Sequence, residues 1–218
     1  MCFSPQASLT GGVIIVAIGI ATIRKVHKPS QIVFASIPLF FGFQQIIEGF
    51  LWLALQNYEF AVLQKPVTYL FLLMAQFFWP MMIPFAILKM EVNQKRKKIL
   101  RVLLGAGVAL SLYYLLCLIL FRVSPKIMGY HIEYIDNFPN SLRLFAFAIY
   151  LITSIAPLFI STIKRMYLLG ILMALSCGVT IIFFTQYLTS VWCFFAAIIS
   201  LVILWILRDA RRKYLFSR

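Results

Sequence analysis

Runs of about twenty consecutive apolar residues recur along this chain, and their length constrains its fold more than anything else. A helix rises about 1.5 Å per residue, so such a run crosses a hydrocarbon core of about 30 Å. Seven runs are read, at residues 8–23, 31–55, 66–88, 99–121, 142–163, 166–187 and 188–207. The first is short, and the last two follow each other so closely that their boundary is open by several residues. No segment alternates with period two in ten-residue blocks, which argues against a β-barrel. Where no water satisfies the backbone, long apolar runs must be helices.

Composition agrees. Apolar residues fill 63% of the 218 positions and charged residues 12%, against about half and about a quarter in a soluble domain. The expected fold is therefore all-α: a polytopic membrane protein with seven transmembrane helices in one domain, residues 1–218.

Basic residues give the orientation. Arg24, Lys25 and Lys28 follow the first run; Lys89, Lys95, Arg96, Lys97, Lys98 and Arg101 follow the third; Lys164 and Arg165 follow the fifth. With Arg208, Arg211, Arg212, Lys213 and Arg218 in the tail, sixteen of the twenty Lys and Arg share one side. The positive-inside rule then predicts an outside N-terminus and a cytoplasmic C-terminus. The net charge of +14 is dispersed over four cytoplasmic pieces, which fits anionic headgroups better than nucleic acid. Each basic residue near such a surface contributes about 1 kcal/mol.

The opening MCFSPQASLTGG lacks a positive n-region, so the first span is expected to be retained and not cleaved as a leader. Cys117, Cys177 and Cys193 lie in spans, where a small buried hydrophobe is the expected role. No CxxC or His-rich pattern is present, and no metal or cofactor is expected.

A faint internal repeat runs through the chain. IATIRKV (20–26) matches ISTIKRM (160–166) at an offset of 140, and at that offset Phe43 meets Phe183 and Trp52 meets Trp192. The pattern suggests parallel halves, 8–88 and 142–207, joined by a linker helix at 99–121. Such a three-plus-one-plus-three plan is one that membrane transporters use.

The second run raises the main functional question, because it carries two glutamines and a glutamate in GFQQIIEGFLW (42–52). On a helix, Gln44, Phe41, Trp52, Gln45, Gly49 and Gly42 fall with Glu48 on one arc of about 160°. Leu39, Phe43, Ile46, Ile47, Phe50, Leu51, Leu53 and Ala54 occupy the rest, an arc expected to face lipid. Glu48 is the one acidic residue inside any run, and no run interior offers it a cation. An ionised carboxylate there costs several kcal/mol without a partner or water. Glu48 is therefore expected to be protonated, hydrated or hydrogen-bonded to amides and hydroxyls. An intramembrane acid is a functional-site hypothesis by default; a buried interhelical hydrogen bond is the alternative.

The same reading puts Glu48 roughly 10 Å below the outer surface. Trp52 and Trp192 lie near that surface, where an aromatic-belt anchor is the commoner role than a ligand contact. Gln76 sits near mid-span in AQFFWPMMIP, one turn from Trp79 and Pro80, and Pro80 and Pro84 predict a kink there. Two connections stand out. EVNQKRKK (91–98) reads as a charged, solvated turn. The long outer connection RVSPKIMGYHIEYIDNFPNS (122–141) carries His131, Glu133 and Asp136, which are reasonable cation ligands. Their spacing matches no motif, and a solvated loop is the better reading.

MCFSPQAS, FQQIIEGFLW, FWPMMIP and SVWCFFAAIIS resemble a family of uncharacterised bacterial multi-pass membrane proteins. Those typically begin Met-Cys-Phe-Ser-Ala, carry Gln-Gln-x-x-Glu-Gly-x-x-Trp and end near Ser-Val-Trp-Cys-Phe-Phe; Pro5 departs from the usual Ala. The resemblance spans most of the chain and implies a bacterial inner (plasma) membrane protein. It implies no activity.

No lysine in the last run serves a retinal Schiff base, and His27 and His131 are expected on opposite sides of the membrane. An enzyme is not expected. The leading expectation is a small transporter or channel for a proton, cation or small solute. Its candidate site is Glu48, Gln44, Gln45, Gln76, Trp52, Trp79 and Trp192. The alternatives are a seven-helix sensory protein binding a small or lipidic ligand, and a scaffold subunit of a membrane complex.

Overall fold

Ser4 and Pro5 show how the first helix starts. The Ser4 hydroxyl accepts from the Ala7 N–H at 3.2 Å, and Pro5 takes the first helical position, where its missing N–H costs nothing. In the computed structural model, residues 4–184 and 188–216 are described, with side chains over 4–182 and 195–210. Helix α1 spans Pro5–Ile23, α2 Ile32–Gln56, α3 Ala61–Leu72, α4 Trp79–Met90, α5 Gln94–Leu120, α6 Asn140–Ile160, α7 Met166–Phe184 and α8 Leu188–Phe216. A π-helical turn, Leu73–Phe78, makes α3 and α4 one continuous helical stretch, so the described residues form seven such stretches. Five of the described stretches are long and apolar enough to cross a membrane: Pro5–Ile23, Pro29–Gln56, Tyr58–Met90, Gln94–Leu120 and Asn140–Ile160. Met166–Ile182 is a shorter apolar helix. The last helix continues past residue 207, through the basic segment, to Phe216.

Helix α2 is the centre of the bundle, packed against α1, α3, α4 and α8. Its seam with α1 is set by glycine. A methyl group at Gly42 would lie 2.6 Å from Val16 Cγ2 and 2.7 Å from the Val16 nitrogen, so only hydrogen lets the backbones come this close. Enclosure on several sides changes one expectation. Phe43 and Phe50 are exposed, as the lipid-facing arc requires, but Leu51 and Ala54 from the same arc are buried. The pair that the proposed repeat would match to α1 and α2, namely α6 and α7, meets over a much shorter seam. Phe183 and Trp192, which supply two of the repeat's matches, lie outside the described side chains.

The prolines of the third span leave carbonyls without a donor from their own helix, and neighbouring helices pack onto them. Pro80 has no N–H for the Ala75 carbonyl five residues earlier in the π turn, and the Tyr150 hydroxyl of α6 donates to that carbonyl at 2.8 Å. Ser111 of α5 donates to the Phe77 carbonyl at 2.6 Å. Pro84 likewise offers no N–H to the Pro80 carbonyl four residues back. That carbonyl faces Gly107 so closely that any side chain there would collide with it. The expected kink is thus a π turn braced by α5 and α6.

The long connection is not a loop, and the chain is not purely α-helical. Val123–Met128 (β1) and His131–Asp136 (β2) form an antiparallel hairpin, with Val123 opposite Asp136 and Met128 opposite His131. Gly129 has φ 61° in a two-residue connection, the conformation that a Gly-X hairpin turn needs. Alternation puts Val123, Ile127, Ile132, Tyr134 and Asp136 on the face toward the helices, where Tyr134 stacks on Phe71 at 5.2 Å. His131 and Glu133 fall on the other face from Asp136. Among the described residues no three His, Cys, Asp or Glu gather into a metal cluster.

The turn after α4 also differs from its expected solvated state. Glu91 is only 2% exposed. Its carboxylate accepts from the N–H groups of Val92 and Asn93 at 2.9 Å each, and from the Thr162 N–H and hydroxyl at 2.8 Å each. Arg96 donates to the Ile160 carbonyl at 2.7 Å beside it. One carboxylate therefore ties the α4–α5 turn to the α6–α7 turn. Burial opposes its ionisation, but the hydrogen bonds from Asn93, Thr162 and Val92 outweigh burial and hold its carboxyl below the ordinary 4.5.

Candidate functional site

Helical spacing on α2 places Gln44, Gln45 and Glu48 on the side of the helix turned inward, and all three are buried, Glu48 at 0% exposure. Gln45 Nε2 donates to Glu48 Oε2 at 3.1 Å, a bond within one turn of the same helix. Gln44 reaches across to α4, where Trp79 Nε1 donates to its Oε1 at 2.6 Å. The Trp79 ring is fixed in turn by stacking on Phe41 at 4.2 Å and by the edge contact of Phe78 at 5.3 Å. The result is a buried carboxylate and two buried amides on one side of α2, tied to α4 through Gln44. Oxygen donors of this kind suit a proton or a hard cation.

The remaining residues of the candidate set are placed differently. Trp52 is 2% exposed and packs with Leu51 against Ile132 under the hairpin. It is no belt anchor facing lipid, and its buried indole N–H has no acceptor among the described residues. Gln76, on the π turn, does not bond to the Glu48 group. It lines a separate, half-open cavity of about 110 Å³ between that turn, α5, α6 and the end of the hairpin. Trp192 lies outside the described side chains.

The sequence alone does not point to Tyr113, Tyr114 or Arg143, and it sets Asp136 in a solvated loop; all four share that cavity with Gln76. Asp136 Oδ1 accepts from Arg143 Nη2 at 2.6 Å and from the Phe138 N–H at 3.1 Å. Paired tyrosines near the end of the fourth run were a signal for a polar lining, but their partners are remote in sequence.

No curated protein and no solved structure matches the chain. A family model matches residues 1–216, nearly the whole length. The chain therefore belongs to DUF6629, a family of unknown function.

Proposed function

We propose that this protein is a small transporter or channel of a bacterial inner membrane, moving a proton, a cation or a small solute, with Glu48 as the residue whose charge state governs movement. One observation carries the reading: a fully buried carboxylate held by Gln45 at 3.1 Å inside a helix otherwise long and apolar enough to cross a membrane. Several kcal/mol oppose charging a group at that depth. A proton or cation that neutralises it therefore has a large effect on the surrounding helices. Gln44 and Trp79 couple that effect to α4, next to the proline-broken π turn, and irregular turns of this type occur where membrane helices move or line a site.

The orientation in this reading has the N-terminus outside and the basic end cytoplasmic, supported by the distribution of Lys and Arg. A fusion of green fluorescent protein to the C-terminus should fluoresce, and an alkaline phosphatase fusion there should stay inactive. A parallel relation between the halves 8–88 and 142–207 belongs to the same proposal. No catalytic role is proposed for any residue. The purified chain in liposomes containing a pH-sensitive dye, under an imposed potassium diffusion potential, tests the function. Proton entry above that of protein-free vesicles supports it, and entry equal to theirs, with the protein folded, counts against the proton arm.

A second reading, a ligand-binding or sensory protein, is favoured by the half-open cavity around Gln76.

A further inference from the structure

We propose that the cavity beneath the hairpin binds a small zwitterion of the size of glycine or alanine, through Gln76, Asp136 and Arg143. This goes beyond the Glu48 reading and holds whether or not Glu48 carries a proton.

Three observations converge. Gln76 Oε1 is buried and has no hydrogen-bond donor among the described residues, although an unmet buried acceptor is destabilising. Something that fills the cavity must donate to it. Gln76 stands on the π turn, a geometry that recurs at functional sites. That turn is held from behind by Tyr150 and Ser111, so the amide is presented from a rigid wall.

The opposite wall carries both signs of charge. Asp136 and Arg143 pair at 2.6 Å, with the Arg143 side chain 56% exposed. A ligand of a single charge meets one like-charged neighbour here. A zwitterion meets none: its ammonium donates to Gln76 Oε1 and Asp136, and its carboxylate accepts from Arg143. Tyr113 and Tyr114 add hydroxyls that donate or accept, and Phe138 closes an apolar side. The volume of about 110 Å³ holds about three or four waters. That accommodates an amino acid with a minimal side chain.

The test uses the full chain in lipid nanodiscs and radiolabelled glycine. Saturable binding is expected, displaced by unlabelled alanine but not by acetate or methylamine, each of which carries one charge only. Gln76→Leu and Arg143→Gln should each weaken binding about tenfold or more, and Glu48→Gln should leave it unchanged. Arg143 is largely exposed, so its variant keeps the test valid if Gln76→Leu folds poorly. Absence of saturable glycine binding to folded protein overturns the proposal, because water alone then fills the cavity. Equal displacement by acetate or methylamine, or undiminished binding by Arg143→Gln, overturns it too.

Discussion

The Tyr150 hydroxyl stands 2.8 Å from the Ala75 carbonyl, supplying from α6 the donor that Pro80 cannot supply from within the third span. A proline-broken helix is thereby completed by its neighbours. Tyr150→Phe should lower stability by about 1 kcal/mol. Pro80→Ala restores an N–H near that carbonyl, so in its background Tyr150→Phe should cost less. A thermal-unfolding double-mutant cycle checks this, and strict additivity would contradict it.

The α1–α2 seam gives a second prediction. A methyl at Gly42 meets Val16 at 2.6 Å, whereas a methyl at Gly105 on α5 meets nothing within 4 Å. Gly42→Ala should destabilise by about 1–3 kcal/mol through overpacking. Gly105→Ala should be neutral or slightly stabilising, since alanine favours the helix. Melting temperatures of the two variants should therefore move apart, and a shared shift would show that the seam is looser than described.

Glu91 predicts a pH dependence with a definite sign. Its carboxyl is held below the ordinary 4.5 in the folded protein. The folded state therefore favours the ionised form, and this stabilisation is fully present above that value. It is lost as pH falls through the lower, folded-state value. Glu91→Gln should lose about 1.5–3 kcal/mol at neutral pH, from charge-assisted bonds to Thr162 and the turn. The gap between variant and parent should narrow at acid pH. A gap that stays constant from neutral to acid would rule out the carboxylate as its source.

What could be read from the sequence, and what could not, follows from the range of each interaction. The helices were legible because a run of twenty apolar residues has few other solutions, and α2 runs Ile32–Gln56 against an expected 31–55. The inward face of Gln44, Gln45 and Glu48 was legible because helical periodicity is local. Leu51 and Ala54 were misassigned to lipid because an arc of polar residues marks one buried side and says nothing of a second. The hairpin was overlooked although Gly129 and Tyr130 form a two-residue connection between alternating segments; strands of six residues are weak signals beside helices. Glu91 looked solvated because its partner, Thr162, is 71 positions away. Trp52 looked like a belt residue because its cover, Ile132, belongs to that hairpin. Gln76 stands out in the sequence as a polar residue in an apolar span, but its separation from Glu48 depends on the π turn, which prolines announce only as a kink.

Trp79 offers a check on the Glu48 cluster that is independent of transport. Trp79→Phe keeps the stack on Phe41 but removes the 2.6 Å bond to Gln44. The expected cost is about 1–3 kcal/mol, because a buried amide oxygen loses its indole donor. Thermal unfolding of the variant measures it, and a Trp79→Phe protein as stable as the parent would mean that the indole donor contributes nothing to holding Gln44.

The most direct test of the central claim is proton flux into liposomes by the parent and by Glu48→Gln, measured side by side from acid to neutral pH. The substitution keeps volume and hydrogen-bonding capacity while removing the ionisable group, so melting should be close to that of the parent. The expected result is a pH-dependent flux in the parent and, in Glu48→Gln, a flux no greater than in vesicles without protein. A folded Glu48→Gln protein with the parent's full, pH-dependent flux would contradict it, leaving the buried carboxylate a structural group only.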